Sequence, residues 1–124
     1  MAAVKNAFGI TDITREFGSV KYMKEAQALI IRDLVKEYDL SNFLEIGFFH
    51  GKSSIYMGAI LREIGKGHLL TIDLEGARKK SPNIIDLIDA TGFADLITPV
   101  FAHRSYTWEL AKLIRDGKRE LFDF

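Results

Sequence analysis

Residues 43–54 read Phe-Leu-Glu-Ile-Gly-Phe-Phe-His-Gly-Lys-Ser-Ser and decide the fold class of this chain. The apolar run at residues 43–46 stops at Gly47, a pattern typical of a buried strand that ends in a turn. Beyond Gly51 apolar residues return at three- and four-residue steps, and Gly65 closes this helical pattern as a C-cap. The segment therefore predicts a strand, a glycine loop and a helix in direct succession.

The residues before and after this unit continue the alternation of helix and strand. The apolar residues of 22–38 recur with helical spacing, and His68–Leu74 is a second β-rich run. The Ser81–Pro82 pair has the chemistry of a helix start, and Leu96–Ala102 is a third strand candidate. Pro99 within that run predicts an edge position or a bulge, because proline cannot donate a hydrogen bond to a neighbouring strand.

The last part of the chain begins one more helix and one more strand. Ser105 or Thr107 predicts the N-cap of that helix, and Leu121–Phe124 starts a fourth strand. Since the connections are too long for hairpins, we expect parallel pairing in an α/β, Rossmann-like sheet with flanking helices. The domain is expected to span 1–124, with 1–20 as an N-terminal extension. Because the fourth strand has almost no length, we interpret the domain as partial and truncated at its C-terminus.

Composition argues against several functional classes. Seventeen Lys and Arg balance seventeen Asp and Glu, so no net field attracts nucleic acid or an anionic membrane surface. The absence of cysteine removes disulfides and thiolate chemistry and fits a reducing compartment. No run of about 18 apolar residues is present that would span a bilayer. We therefore expect a soluble, cytoplasmic protein without nucleic-acid or membrane partners.

The glycine loop and one acid predict a ligand site. Glycine at 47 allows a sharp turn off the strand, and glycine at 51 allows a ligand to approach the main chain at the helix start. Asp73 ends the second strand, so it lies at the same edge of a parallel sheet, where ligands bind. It follows Gly51 by 22 residues, close to the spacing of the acid that binds ribose in nucleoside-binding units. An adenosine-bearing cofactor is predicted.

Two common nucleotide loops fit the spacing poorly. The dinucleotide fingerprint needs Gly-x-Gly-x-x-Gly, whereas Phe49 occupies the position of its second glycine. The phosphate loop of nucleotide hydrolases needs four residues before Gly-Lys-Ser, and only three separate Gly47 from Gly51. NAD binding and ATP hydrolysis are therefore disfavoured.

Residues 44–54 resemble motif I of class I S-adenosylmethionine-dependent methyltransferases, in the form found in small-molecule O-methyltransferases. Residues 71–73 resemble the second-strand acid of that family, residues 91–97 its turn into the third strand, and residues 122–124 the opening of its fourth. The resemblance runs from about Tyr22 to Phe124. It implies the N-terminal half of the methyltransferase fold, with S-adenosylmethionine as cofactor and the oxygen of a small molecule as methyl acceptor.

The resemblance also implies which residues contact the cofactor. The methionine part would be held by the loop and the helix start, the ribose by the strand-end acid and the adenine by a residue after the third strand. Glu45 and the backbone of Gly47 to Gly51, which includes Phe48, would hold the methionine part, and Ser53 would lie nearby at the helix start. Asp73 would bind the ribose, and Ser105 would lie near the adenine. His103-Arg104 departs from the family pattern, which often has Gly-Asp before the adenine-side residue.

No catalytic residue is assigned from the sequence. His50 lies in the loop, but an isolated loop histidine is more often solvent-facing than a catalytic base. A divalent metal is compatible with the full-length enzyme that the resemblance implies, and no ligand for it is identified here. Two alternatives stay open: an NAD- or nucleotide-sugar-binding Rossmann-like enzyme, and a non-catalytic interaction protein derived from a methyltransferase. An open sheet edge would permit a homo-oligomer.

Overall fold

The computed structural model describes residues 8–117 and 121–124. Residues 1–7 of the predicted N-terminal extension lie outside this range. In chain order the elements are helices α1 (Ile10–Phe17) and α2 (Glu25–Tyr38), strand β1 (Asn42–Ile46), helix α3 (Lys52–Ile64), strand β2 (His68–Leu74), a 3₁₀ turn (Glu75–Lys79), helix α4 (Ile84–Thr91), strand β3 (Ile97–Ala102) and helix α5 (Tyr106–Arg115).

The three strands form a parallel sheet in the order β1-β2-β3. Glu45 on β1 pairs with Thr71 on β2, and Asp73 on β2 pairs with Phe101 on β3. The predicted α/β class with parallel pairing is confirmed. Pro99 lies within β3, which is an edge strand of the described sheet, so the edge position expected for a strand proline is also confirmed.

The predicted fourth strand is present only as backbone pairing beside β1. Leu44 N–H donates to the Phe124 carbonyl at 2.9 Å, and Asp123 N–H donates to the Asn42 carbonyl at 2.8 Å. The Asp123 carboxylate also accepts the N–H of Asn42 at 2.8 Å. Residues 121–124 form no regular strand, but they occupy the free edge of β1 on the side away from β2.

Helix α3 is the centre of the apolar core. The side chains of Ile55, Tyr56, Ile60 and Leu61 are fully buried, because α1, α2, α4 and the sheet all contact this helix. Helix α3 needs a glycine at position 58, because a Cβ at that position would lie 2.5 Å from the Phe93 ring. This dense packing fixes the start of α3, and with it the glycine loop.

Helix α1 belongs to the same core. Ile10 and Ile13 are buried, and the Thr14 and Tyr56 hydroxyls are hydrogen-bonded at 2.7 Å. The expectation of an extension over residues 1–20 did not anticipate this helix. An eight-residue helix with two buried positions carries too little periodicity to be recognised from sequence.

Two helix starts differ from prediction and one agrees. Helix α4 begins at Ile84, not at Ser81–Pro82, because Asn83 and Asp86 form a reciprocal capping box with both bonds at 3.0 Å. Helix α2 begins at Glu25, three residues after the predicted Tyr22. Of the two predicted caps, Ser105 and Thr107, the helix uses Ser105, whose Oγ accepts the N–H of Trp108 at 3.1 Å.

Within the described residues, none of the helices is both long and apolar enough to cross a bilayer.

Candidate functional site

The glycine loop turns off β1 at the carboxyl edge of the sheet. Gly47 has φ +88°, a conformation that residues with a Cβ rarely adopt, and its N–H donates to the Ile72 carbonyl at 2.6 Å. Gly51 N–H donates to the Phe48 carbonyl at 2.7 Å and closes the loop just before α3. The loop therefore has one defined shape, with its backbone at the edge where parallel sheets bind ligands.

Glycine at position 51 is required by packing as well as by backbone conformation. It is buried and has φ +98°, and a Cβ at this position would lie 2.7 Å from Cγ1 and 2.9 Å from Cα of Ile84. The backbone neighbour that requires glycine here is the start of α4. That Gly51 also lets a ligand approach the main chain stays a prediction.

Asp73 is hydrogen-bonded directly to the glycine loop. Its Oδ2 accepts the N–H of Phe49 at 2.7 Å, and its Oδ1 accepts the N–H of Leu74 at 2.7 Å. The strand-end acid and the glycine loop are thus brought together, as the spacing predicts. Whether Asp73 binds ribose stays a prediction.

Tyr106 is a residue of this site that sequence reasoning missed. Its Oη donates to Asp73 Oδ1 at 2.7 Å. That hydrogen bond, assisted by burial and by the nearby negative charge, raises the pKa of Tyr106 to about 12. The available signal was its place as the first helical residue after β3, because that position lies at the same carboxyl edge as Asp73.

Glu45 is held by three hydroxyl groups. Ser53 Oγ donates to its Oε2 at 2.6 Å, while Ser54 Oγ and Thr71 Oγ1 donate to its Oε1 at 2.5 and 2.6 Å. Thr71 is the register partner of Glu45, so both side chains lie on the face of the sheet that α3 covers. A carboxylate has about four acceptor positions, which leaves roughly one for a ligand.

A cleft of about 640 Å³ opens beside Glu45. We call it the Glu45 cleft; its lining residues are Tyr22, Met23, Lys24, Gln27, Glu45 and Ser53. Helix α2 is joined to β1 by a short turn, and residues at its start line the same cleft as Glu45 near the end of β1. That topology was the signal for Lys24 and Gln27, which the sequence analysis did not name.

Two predicted site residues have structural roles. The Phe48 side chain is only 2% exposed, and its ring packs edge-to-face on Phe101 with centroids 5.4 Å apart. Its side chain lies in the core, so a cofactor contact of Phe48 would be made by its backbone, and that contact stays a prediction. Ser105 Oγ caps α5, and its contact with adenine stays a prediction.

Lys52 follows the loop and is buried, with 4% of its surface exposed. Its Nζ donates to the Gly18 carbonyl at 3.1 Å. Burial, with repulsion from Lys24, lowers the pKa of Lys52 from its ordinary value. This lysine therefore joins the loop to the segment after α1 and does not face the Glu45 cleft.

A second cleft, of about 370 Å³, lies on the other side of Tyr22. We call it the His50 cleft; it is lined by Ser19, Val20, Lys21, Tyr22, Phe49, His50, Ser81 and Pro82. Tyr22 also lines the Glu45 cleft, so the two clefts share a wall. No group of three or more metal-ligating side chains is found in the part of the chain that the structure describes.

Comparison with known proteins places the fold. No protein-family model matches the chain, and no curated protein sequence matches it significantly. Among solved structures it is similar to the O-methyltransferase TomG from Streptomyces achromogenes, involved in tomaymycin synthesis and in complex with SAM. Identity is 23%, the TM-score is 0.59, and the match covers 96% of this chain and 48% of that chain.

Two further structures match in the same way. An O-methyltransferase from Bacillus cereus in complex with SAH is 16% identical, with a TM-score of 0.59 over 90% of this chain and 48% of that one. An SAH-bound methyltransferase from Podospora anserina is 13% identical, with a TM-score of 0.60, and the match covers 88% of this chain and 50% of that chain. The chain spans about half the length of these proteins. It therefore has the Rossmann-like fold of the N-terminal half of such methyltransferases.

Proposed function

We propose that this chain is the S-adenosylmethionine-binding part of a methyltransferase that acts on the oxygen of a small molecule. The observation that carries the proposal is the pair of opposite charges in the Glu45 cleft. Glu45 and Lys24 line one cleft beside the glycine loop, and the methionine end of the cofactor carries an ammonium and a carboxylate. Each of these groups would find a complementary charge there.

The described residues offer a polar partner for each part of the cofactor. Glu45 would accept from the ammonium with its remaining acceptor position, and Lys24 would pair with the carboxylate. Ser53 and the backbone from Gly47 to Gly51 would line the methionine part, and Asp73 would accept from the ribose hydroxyls. Ser105 would lie on the adenine side. In support, TomG was solved with SAM, and the Bacillus cereus enzyme with SAH.

The cofactor would supply an electrophilic methyl group, whose bond to sulfur breaks as its carbon bonds to the acceptor oxygen, leaving a neutral thioether. The contribution of the protein is to hold donor and acceptor in line and to exclude competing orientations. The rigid loop, fixed at both ends by Gly47 and the start of α3, suits that purpose.

Isothermal titration calorimetry with S-adenosylmethionine, S-adenosylhomocysteine and NAD⁺ tests the proposal. We expect binding of the two sulfur compounds and no measurable binding of NAD⁺. Glu45→Gln and Asp73→Asn should each weaken binding, whereas Asp89→Asn, at an exposed carboxylate on α4, should not. A folded chain that prefers NAD⁺ would favour the dinucleotide alternative. A folded chain that binds none of the three would exclude a cofactor site.

We further propose that the chain can self-associate through β3, which has an unpaired edge among the described strands. Size-exclusion chromatography coupled to light scattering over a concentration series would detect such a dimer. A mass equal to one chain at every concentration would count against it.

A further inference from the structure

The His50 cleft is contiguous with the cofactor cleft proposed above. Phe49 and His50 belong to the glycine loop and line the His50 cleft, while Tyr22 forms the wall shared by both clefts. Asp73 holds the loop from the opposite side by accepting the N–H of Phe49 at 2.7 Å. A molecule in the His50 cleft would therefore lie next to the loop that positions the cofactor.

The hydrogen bonding of His50 determines which of its ring nitrogens can accept a proton. Its Nδ1 lies 2.6 Å from the carbonyl oxygen of Pro82. A carbonyl oxygen can only accept, so Nδ1 must carry the hydrogen and donate it. In the neutral imidazole Nε2 is then the unprotonated, basic nitrogen. Pro82 lines the same cleft and thereby fixes both the ring and its tautomer.

The charge around the His50 cleft is positive. Lys21 lines it, and Lys80 lies beside it, with its Nζ 4.0 Å from the centroid of the Phe49 ring. None of the lining residues is acidic. The rings of Tyr22 and Phe49 pack against each other with centroids 5.2 Å apart and planes inclined at 47°, which gives the cleft an aromatic wall. An anion with an apolar, aromatic body matches the positive charge and the aromatic wall.

From these contacts we propose that the His50 cleft binds the methyl acceptor, that the acceptor is an anionic hydroxy acid, and that His50 is its general base. The proposal rests on the proposed function. The acceptor carboxylate pairs with Lys21 and its apolar body lies against Phe49. Its hydroxyl proton passes to Nε2 of His50, while the electron pair of the broken O–H bond stays on oxygen and forms the bond to the methyl carbon. His50 later releases the proton to solvent.

The tautomer is tested first, without any ligand. In ¹⁵N-histidine-labelled protein at mildly alkaline pH, long-range ¹H–¹⁵N spectra distinguish Nδ1–H from Nε2–H imidazole, and His50→Gln assigns the His50 signal. We expect the Nδ1–H form. The Nε2–H form would overturn the assignment of His50 as base, because the nitrogen facing away from Pro82 would then already carry a proton.

The acceptor class is tested by titrating 4-hydroxybenzoate and its neutral analogue 4-hydroxybenzamide into protein saturated with S-adenosylhomocysteine. The acid should bind and shift the signals of His50 and Phe49. The amide should bind about two- to fivefold more weakly, which is the range expected for one partly exposed charge pair. Lys21→Met should abolish that difference, while Lys79→Met, at an exposed lysine that does not line the cleft, should retain it.

These titrations distinguish failure of the acceptor inference from failure of the cofactor proposal. If S-adenosylhomocysteine binds and the acid does not, or if acid and amide bind equally, the acceptor inference is wrong and the cofactor proposal stands. If the folded chain binds no S-adenosylhomocysteine, the proposed function and the role of His50 fall together.

Discussion

Tyr106 Oη donates a hydrogen bond to Asp73 Oδ1 at 2.7 Å and ties the start of α5 to the carboxyl end of β2. With the N–H groups of Phe49 and Leu74, the Asp73 carboxylate accepts three hydrogen bonds. About one acceptor position is left, whereas the two hydroxyls of a ribose supply two donors. A ribose at Asp73 would therefore compete with the tyrosine.

Tyr106→Phe should strengthen cofactor binding, because it frees an oxygen of Asp73 without removing the ring. A hydrogen bond with a net worth of about 0.5–1.5 kcal/mol corresponds to about a two- to tenfold lower dissociation constant for S-adenosylhomocysteine. Calorimetric titration measures it, with Tyr38→Phe, at an exposed tyrosine, as the control. Weaker binding by Tyr106→Phe would instead show that the hydroxyl contacts the ligand.

The same contact gives the folded protein a specific pH dependence. The pKa of Tyr106 is raised to about 12 by its bond to Asp73, above the usual tyrosine value of about 10 in an unfolded chain. The stability that this bond contributes is fully present below about pH 10 and is lost as the pH rises toward 12. Urea unfolding of the wild-type protein should show this loss.

Asp73→Asn should lower the pKa of Tyr106 toward its ordinary value, as ultraviolet titration of the phenolate would show after subtraction of the Tyr106→Phe curve. In Tyr106→Phe this part of the alkaline loss of stability should be absent. An unchanged alkaline profile in Tyr106→Phe would mean that Tyr106 does not stabilise the fold through Asp73.

Gly51→Ala should destabilise the protein more than Gly65→Ala. Both glycines have positive φ, +98° and +76°, so each substitution incurs backbone strain of about 1–3 kcal/mol. A Cβ at Gly65 meets no atom within 4 Å, whereas one at Gly51 would lie 2.9 Å from the Ile84 backbone. The excess loss of unfolding free energy in Gly51→Ala therefore measures contact with α4. Equal losses in urea denaturation would contradict close packing of Ile84 on the loop.

The fold was predictable because its signals are local. The run at residues 68–74 has a β-rich composition, and the strand occupies those residues. Glycines with positive φ at 47, 51 and 65 mark where the backbone must turn, and glycine adopts that conformation without steric cost. Strand, loop and helix could therefore be placed without knowing the packing between them.

The site was only partly predictable because its missing contacts are tertiary. Asp73 was identified because strand ends in a parallel sheet meet at one edge, and Glu45 was named through the resemblance of residues 44–54 to motif I. Tyr106 donates a hydrogen bond to Asp73, and Thr71 donates one to Glu45. Each donor lies on a different element from its acceptor, so no local sequence pattern indicates the contact. The burial of the Phe48 side chain likewise depends on a tertiary neighbour, Phe101 on β3.

Lys52→Met should leave the protein as stable as before at neutral pH or raise its unfolding free energy by about 1 kcal/mol. The lysine is buried with one hydrogen bond to the Gly18 carbonyl, and a buried charge can be replaced by an apolar chain of similar size at no cost. Gly18 is exposed, so water can satisfy its carbonyl. Lys79→Met, at an exposed lysine, is the matched control and should change stability little.

The pH dependence of the unfolding free energy distinguishes the cost of burying the Lys52 charge from a purely steric effect of the substitution. Burial first, and repulsion from Lys24 second, lower the pKa of Lys52 in the folded state. Between that lowered pKa and the ordinary value of 10.5, the unfolded chain binds more protons than the folded one, so this lysine makes stability rise with pH in that window. Lys52→Met should lack this contribution in urea unfolding curves measured from neutral pH upward. Parallel curves of wild type and variant would mean that the pKa of Lys52 is not lowered on folding. A variant that loses stability at neutral pH would mean that the Lys52 ammonium stabilises the fold through the Gly18 carbonyl.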